Sequence, residues 1–207
     1  LVDLAEGKKL LPDPPIASIG YQASIVITPQ QEADMDIKAT LNNLLIPYTS
    51  NYAGTLLPGI REYTVTPGEK TTTISGKGKA GLKQEENYYF FYLPVCYKGI
   101  TGKSYAYYNT SRSKNLYLPA SVDENYSYDI QLPENLTLCT PIQEKKIDNP
   151  IGSFKITLTS EGSSLHIELA LQIKKQLITP AEYPAFRSLI TEWTDRTRKP
   201  ILFKTVQ

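Results

Sequence analysis

Two residues of this sequence could form a nucleophile–base pair, so they are the first test for an enzyme. Cys96 lies in the run YYFFYLPVCYKG (88–99), and His166 is the single histidine among 207 residues. A catalytic thiol needs a lowered pKa, which a helix N-terminus or an adjacent imidazolium supplies, and a base within hydrogen-bond reach. The run around Cys96 instead predicts an aromatic strand entering a turn. We therefore expect Cys96 to be a buried part of the core.

His166 falls on the polar side of its predicted strand, beside Glu168. This position predicts a solvated strand face rather than a catalytic base. A metal centre needs further ligands, and no second histidine is present to complete the usual imidazole pairs. We expect no metal site, no cofactor and no enzymatic activity of the chain by itself. A cysteine hydrolase that uses Cys96 and His166 is the least favoured alternative.

The segment GKGKAG (76–81) matches the glycine pattern of dinucleotide-binding loops. That pattern binds pyrophosphate when it follows a buried strand and opens a helix. Here the polar run EKTTTIS (69–75) precedes it, and the residues after it have no helical period. We interpret the segment as a flexible basic turn that binds no nucleotide.

Fifteen tyrosines are the remaining chemical signal. A tyrosine has a flat apolar ring and a polar tip, which suits half-buried strands and also stacking on a sugar or a partner protein. Strand side chains alternate between faces, so part of the run 88–92 must point away from the core. The candidate binding surface comprises Tyr88, Tyr89, Tyr105, Tyr107 and Tyr108. Ordinary packing of these tyrosines in aromatic strands is the alternative, and the sequence leaves it open.

Alternating apolar and polar residues predict the strands that position these side chains. The alternation is present in ADMDIKATL (33–41), in YSYDIQLP (126–133) and most clearly in SLHIELALQIKK (164–175). SFKITLT (153–159) and the turn SEGSS complete a β-hairpin at 153–174. Half-buried antiparallel strands of this kind are typical of β-sandwiches and β-barrels.

One helix is predicted at about 180–196. The segment TPAEYPAFRSLITEW (179–193) opens with a capping-box pair, Thr179 and Glu182, and carries an apolar stripe at three- and four-residue spacing. Pro184 removes a backbone donor, so the helix start could shift by a turn. The predicted fold class is mainly β, an antiparallel β-sandwich in one or two modules with this helix covering a sheet. A composition shift near 107–115 predicts a β-rich module at 1–110 and a β-sandwich module at 111–207.

The composition excludes several classes of protein. Hydrophobic residues make up 41% of the chain and charged residues 21%, which is typical of a packed globular fold. The net charge of +1 gives no basic excess for nucleic acid, and no apolar run approaches the roughly 20 residues that span a bilayer. Cys96 and Cys139 are too few for a disulfide framework, and their pairing stays open. The first residue, Leu1, predicts a chain trimmed from a signal peptide or from a longer parent protein.

From Tyr88 onward the order of segments resembles a known family. YYFFYLP is followed by SRSKNLYLP, YSYDIQLPENL, NPIGSF and TPAEYPAFR, and a strand closes the chain. This order resembles the C-terminal β region of large transglutaminase-like proteins of Bacteroidetes. In those proteins a β-sandwich of unknown function precedes a papain-like core, and some are labelled as proteases. No segment here matches the cysteine, histidine and aspartate of that core, so no catalytic residue carries over.

The resemblance implies a non-catalytic accessory β domain that packs on the core of the same polypeptide or positions its partners, which could be proteins or glycans. It also implies a secreted or periplasmic location. We expect the aromatic strand surface to be the docking face. The alternative is a free-standing module that binds a carbohydrate or a cell-surface polymer by stacking on tyrosines.

Overall fold

The computed structural model describes residues 2–3, 8–9, 15–28, 32–42, 56–96, 100 and 111–206. Its strands are β1 (Val2–Asp3), β2 (Lys8–Lys9), β3 (Ile16–Ile27), β4 (Glu32–Asn42), β5 (Ile60–Pro67), β6 (Thr71–Gly81), β7 (Lys83–Glu85), β8 (Tyr88–Phe91), β9 (Leu116–Tyr117), β10 (Ser121–Gln131), β11 (Leu136–Leu138), β12 (Gln143–Asn149), β13 (Gly152–Glu161), β14 (Ser164–Ile173), β15 (Leu177–Ile178) and β16 (Ile201–Thr205). Helix α1 comprises Tyr183–Arg198.

An eight-stranded sheet dominates the fold, with the strand order β12-β13-β14-β10-β3-β4-β6-β5. Its neighbouring strands are antiparallel, except that β3 and β10 run parallel from Ile16↔Ser121 to Val26↔Gln131. The alternation of apolar and polar residues in these strands gives the sheet one buried face and one solvent-facing face, which we call the open face.

Strands from both predicted modules share this sheet. β3 to β6 come from residues 1–110, whereas β10 and β12 to β14 come from residues 111–207. The division near residue 110 therefore runs through one continuous sheet. As a division into modules it stays a prediction.

A second, four-stranded sheet has the order β11-β16-β8-β7, and two short ladders, β1-β2 and β9-β15, complete the described strands. Buried side chains from the eight-stranded sheet, the four-stranded sheet and α1 belong to one hydrophobic core. Phe91 and Phe203 supply the smaller sheet's part of this core, and both are fully buried. The predicted fold class is confirmed: the protein is mainly β, with antiparallel sheets and a C-terminal helix that covers one of them.

Helix α1 lies against β13 and β14. Its apolar stripe is fully buried at Phe186, Leu189 and Trp193. The Trp193 ring centroid lies 5.6 Å from that of Tyr126 on β10 and 6.5 Å from that of Phe154 on β13. The helix thus packs across the buried face of the eight-stranded sheet.

The start of α1 shows how Pro184 acts. The capping-box pair forms, since the backbone N–H of Thr179 donates to Glu182 Oε2 over 3.1 Å and the backbone N–H of Glu182 donates to Thr179 Oγ1 over 3.4 Å. The regular helix nevertheless begins at Tyr183, with Glu182 as its N-cap and Pro184 in its first turn. The predicted slip of the helix start is confirmed, because the first turn tolerates a proline that lacks a donor.

The prediction of a flexible turn at GKGKAG is wrong. These residues belong to β6 and pair with β4 on one side and β5 on the other. Gly76 explains the difference, since a Cβ at this position would lie 2.1 Å from the backbone oxygen of Glu62. The glycines of GKGKAG therefore permit close approach of the neighbouring strand and do not form a turn.

Within the described residues, no helix is long and apolar enough to cross a membrane.

Candidate interaction surface

Cys96 lies in the core, with none of its surface exposed. Tyr21, Tyr126 and Tyr128 form an aromatic cluster in the same core, where the ring of Tyr21 is 5.4 Å from that of Tyr126 and 5.7 Å from that of Tyr128. The hydroxyl of Tyr128 donates a 2.7 Å hydrogen bond to the backbone oxygen of Pro94. This bond fixes the chain segment that leads to Cys96. The predicted burial of Cys96 is confirmed.

Burial raises the pKa of each phenol in this cluster, because the ionised form would lose its hydration. The tyrosines therefore stay neutral at physiological pH.

The structure does not bring His166 to Cys96. On β14, Leu165 and Ile167 point into the core, while His166 between them points to the open face with 41% of its side chain exposed. The eight-stranded sheet thus separates the imidazole from the buried thiol. Cys96 and Cys139 do not form a disulfide with each other.

His166 belongs to a row of charges across three strands of the open face. Its Nδ1 is 2.7 Å from Asp129 Oδ1 on β10. Its Nε2 is 3.5 Å from the Oε1 of Glu168, which lies on β14 with His166. Lys155 on β13 places its Nζ 3.3 Å from Glu168 Oε2. Hydrogen bonding to Asp129 raises the pKa of His166, and hydrogen bonding to Lys155 lowers the pKa of Glu168. These contacts make a solvated ion network, as the polar side of the strand predicted.

The single histidine makes this network measurable. We expect the imidazole signal of His166 in a proton NMR titration to have a midpoint above 6.5, its ordinary pKa, and Asp129→Asn to lower that midpoint. Because folding raises the pKa, the pair stabilises the fold fully below about pH 6.5 and loses this contribution as the pH rises through the folded-state pKa. Glu168→Gln is the matched control and should lower the midpoint less, since Asp129 is the dominant partner. Equal midpoints in the wild type and Asp129→Asn would contradict the assignment.

The outer face of the four-stranded sheet carries an exposed line of aromatic side chains, Tyr88, Phe90 and Tyr92, which we call the aromatic row. Tyr88 is 43% exposed and Tyr92 47%, while Phe90 between them is half-buried. Leu202 on β16 lies opposite Phe90 in the pairing register. Lys83 on β7 places its Nζ 5.5 Å from the centroid of the Tyr92 ring. The row therefore has apolar ring faces with a cation at one end.

The sequence assigned Tyr88 and Tyr89 to one binding surface, and the structure corrects this for Tyr89. Tyr88 is exposed, but Tyr89 is only 7% exposed and belongs to the hydrophobic core. The reason is the period of a strand, because neighbouring side chains point to opposite faces. The other three candidates, Tyr105, Tyr107 and Tyr108, lie outside the described residues.

Sequence reasoning missed Phe90 and Tyr92 as companions of Tyr88. The signal was available, since residues two apart in YYFFY share a face. The sequence did not show which face of this strand is exposed, because that depends on the pairing of β8 with β16 and β7. Over the described ranges, no three side chains of His, Cys, Asp or Glu come together in a way that could hold a metal ion.

Fold and surface together define a class: a mainly β protein whose small sheet presents an aromatic row beside a larger sheet with a charged open face. Residues 87–203 match the model of the family described as "Domain of Unknown Function with solved-structure structure (DUF3858)". The match includes more than half of the chain, and the chain belongs to this family.

This chain is also similar to part of a protein whose structure has been solved. The chain is similar to a crystal structure described as that of "a putative protease" from Parabacteroides distasonis, with 30% sequence identity and a TM-score of 0.51. The similarity covers 59% of this chain but only 24% of the other protein, so it corresponds to about a quarter of that protein's length. A comparison with curated proteins finds no match.

Proposed function

We propose that this chain is a non-catalytic accessory β region of a longer secreted or periplasmic protein, and that it docks on the remainder of the same polypeptide through the aromatic row. The observation that carries the proposal is the similarity to only 24% of a longer protein described as a protease. A transglutaminase-like core is the partner that the sequence resemblance suggests. Reaction chemistry would then belong to that core.

The geometry around Cys96 supports an accessory role. A nucleophilic thiol must be reached by substrate and activated by a base. Cys96 is fully buried, and the only histidine of the chain lies on the opposite side of the eight-stranded sheet. This separation keeps the thiol and the imidazole from acting together as a nucleophile–base pair.

The aromatic row supports docking on protein. Aromatic side chains are enriched in protein interfaces because they bury a large apolar area at a low cost in side-chain entropy. The row combines two exposed rings with Phe90 and Leu202 beside them, so it offers a short apolar strip rather than an isolated ring. Lys83 already lies over the Tyr92 ring, which leaves less of that ring for stacking on a sugar. This contact favours a protein partner over the carbohydrate alternative.

Hydroxyl-radical footprinting of the intact native protein tests the docking. Tyr63 on β5 is the matched internal control, since its 41% exposure is close to the 43% of Tyr88 and the 47% of Tyr92. We expect Tyr88 and Tyr92 to be oxidised several-fold more slowly than Tyr63, because the rest of the polypeptide covers them. An immunoblot of the source cells should also show a band larger than the 23.2 kDa of these 207 residues.

Equal oxidation of the three tyrosines in the intact protein would overturn the docking surface. A native band of 23.2 kDa would overturn the accessory role itself. In that case, slower oxidation of Tyr88 and Tyr92 only after addition of a glycan would establish the free-standing carbohydrate-binding module.

A further inference from the structure

A groove of about 460 Å³ lies beside the first three turns of α1, away from the aromatic row and the open face. We call it the arginine groove. Its polar lining includes Ser111, Arg112 and Arg187, and its apolar lining includes Ile147, Pro180 and Pro184. The groove therefore offers positively charged hydrogen-bond donors together with apolar side chains.

Arg112 is held in place by an aromatic ring. Its guanidinium carbon is 5.8 Å from the centroid of Tyr183, a geometry typical of a cation–π contact. Tyr183 is itself 3% exposed and packs on Phe186 with ring centroids 5.9 Å apart. The Nε of Arg112 is buried and has no hydrogen-bond partner within the described structure. A buried donor without a partner is costly, so the structure leaves part of the hydrogen-bonding capacity of this guanidinium unused.

Arg187 is placed on the same side of the helix as Tyr183, because residues four apart on a helix are neighbours. Of the ion pairs between described residues, none involves Arg112 or Arg187. The carboxylate in the lining, Glu192, is already 2.5 Å from the Nζ of Lys145. Among the described residues that line the groove, the two arginines therefore face one carboxylate, and that carboxylate is shared with Lys145.

From these contacts we propose that the arginine groove binds an organic carboxylate. The planar guanidinium matches the two oxygens of a carboxylate with parallel hydrogen bonds, and two arginines can share one such group. The apolar body of the ligand would lie against Ile147, Pro180 and Pro184. A bare inorganic anion would use only the arginines and leave this wall unoccupied.

The test measures binding to the full chain by NMR, from amide shifts of Ser111 and Ser188. Benzoate is the probe, and benzamide is its neutral counterpart of the same shape. We expect benzoate to bind and benzamide not to, and Arg112→Gln or Arg187→Gln to weaken benzoate binding by about tenfold, the loss typical of a charged hydrogen bond. Arg112→Lys should bind benzoate more tightly than Arg112→Gln, since lysine keeps the positive charge but lacks the paired donors of the guanidinium.

Lys38→Gln removes the same charge from the open face and is the matched control, with benzoate affinity expected to be unchanged. Thermal melting of each variant shows that it is folded. Equal binding of benzoate and benzamide, or undiminished binding by a folded Arg187→Gln variant, would overturn the proposal. Inorganic phosphate binding as tightly as benzoate would overturn the organic part of it.

A second pair of probes distinguishes the source of the carboxylate. A short peptide that ends in a free phenylalanine carboxylate is compared with its C-terminal amide. Tighter binding of the free peptide than of benzoate supports a chain end of a polypeptide as the natural ligand. Weaker binding supports a small aromatic or aliphatic acid in the same groove.

Discussion

Replacing Trp193 with alanine is expected to lower the free energy of unfolding by about 3–5 kcal/mol, the usual range for deleting a large buried aromatic side chain. Trp193 has no exposed surface and lies between Tyr126 on β10 and Phe154 on β13. Its removal would leave a cavity where α1 meets the eight-stranded sheet. The indole Nε1 has no hydrogen-bond partner within the described structure, so the loss arises from packing.

Urea denaturation followed by far-ultraviolet circular dichroism measures this loss, because the substitution removes the only tryptophan and with it the fluorescence signal. Thr191→Ala is the matched control. Thr191 is an exposed residue two positions earlier on the same helix, and its substitution should change stability by no more than about 0.5 kcal/mol. A loss below about 1 kcal/mol for Trp193→Ala would contradict the packing of α1 described above.

Replacing Gly152 with alanine is expected to destabilise the fold by about 3 kcal/mol, at the upper end of the usual cost of overpacking. A Cβ at this position would lie 1.8 Å from the backbone oxygen of Gln172 on β14. The neighbouring atom belongs to the backbone, so no side-chain rotation can relieve the overlap. Either β13 or β14 would have to move.

The turn before Gly152 adds to the expected loss of stability, because Asn149 at this turn is hydrogen-bonded both to the start of β13 and to α1. Asn149 Oδ1 accepts from the backbone N–H of Ile151 over 2.9 Å, and its Nδ2 donates to the backbone oxygen of Ala185 in α1 over 3.1 Å. A shift of β13 would therefore disturb α1 as well. Thermal unfolding of Gly152→Ala beside Gly81→Ala gives the comparison, since nothing lies within 4 Å of a Cβ at position 81. Similar melting temperatures for the two variants would show that the approach of β13 to β14 is looser than the structure indicates.

Local patterns predicted the elements that the structure contains in the second half of the chain. The hairpin predicted at 153–174 is present as β13 and β14, within one residue at each end. Helix α1 lies where the capping box placed it, within a turn, and β16 is the strand expected to close the chain. These elements could be predicted because each is specified by residues close together in the sequence.

What the sequence did not predict depends on residues far apart. Nothing in the period of β3 shows that it would pair in parallel with β10, and nothing in YYFFY shows which side of β8 would face the core. GKGKAG was assigned to a turn because the close approach of Glu62 to Gly76 is visible only once the strands are paired. The arginine groove was missed for the same reason, since Arg112 and Tyr183 are distant in the chain.

The parallel pair at the centre of the eight-stranded sheet affects how the molecule can fold. β3 and β10 pair residues that are 105 positions apart, as Ile16 and Ser121 show. The hairpins β3–β4, β5–β6 and β13–β14 are local and can form early, whereas joining the two halves of the sheet requires closure of a loop of more than 100 residues. High contact order of this kind slows folding. During synthesis, one edge of β3 must therefore remain without a strand partner until β10 has left the ribosome, which gives a chaperone or an aggregating neighbour time to bind it.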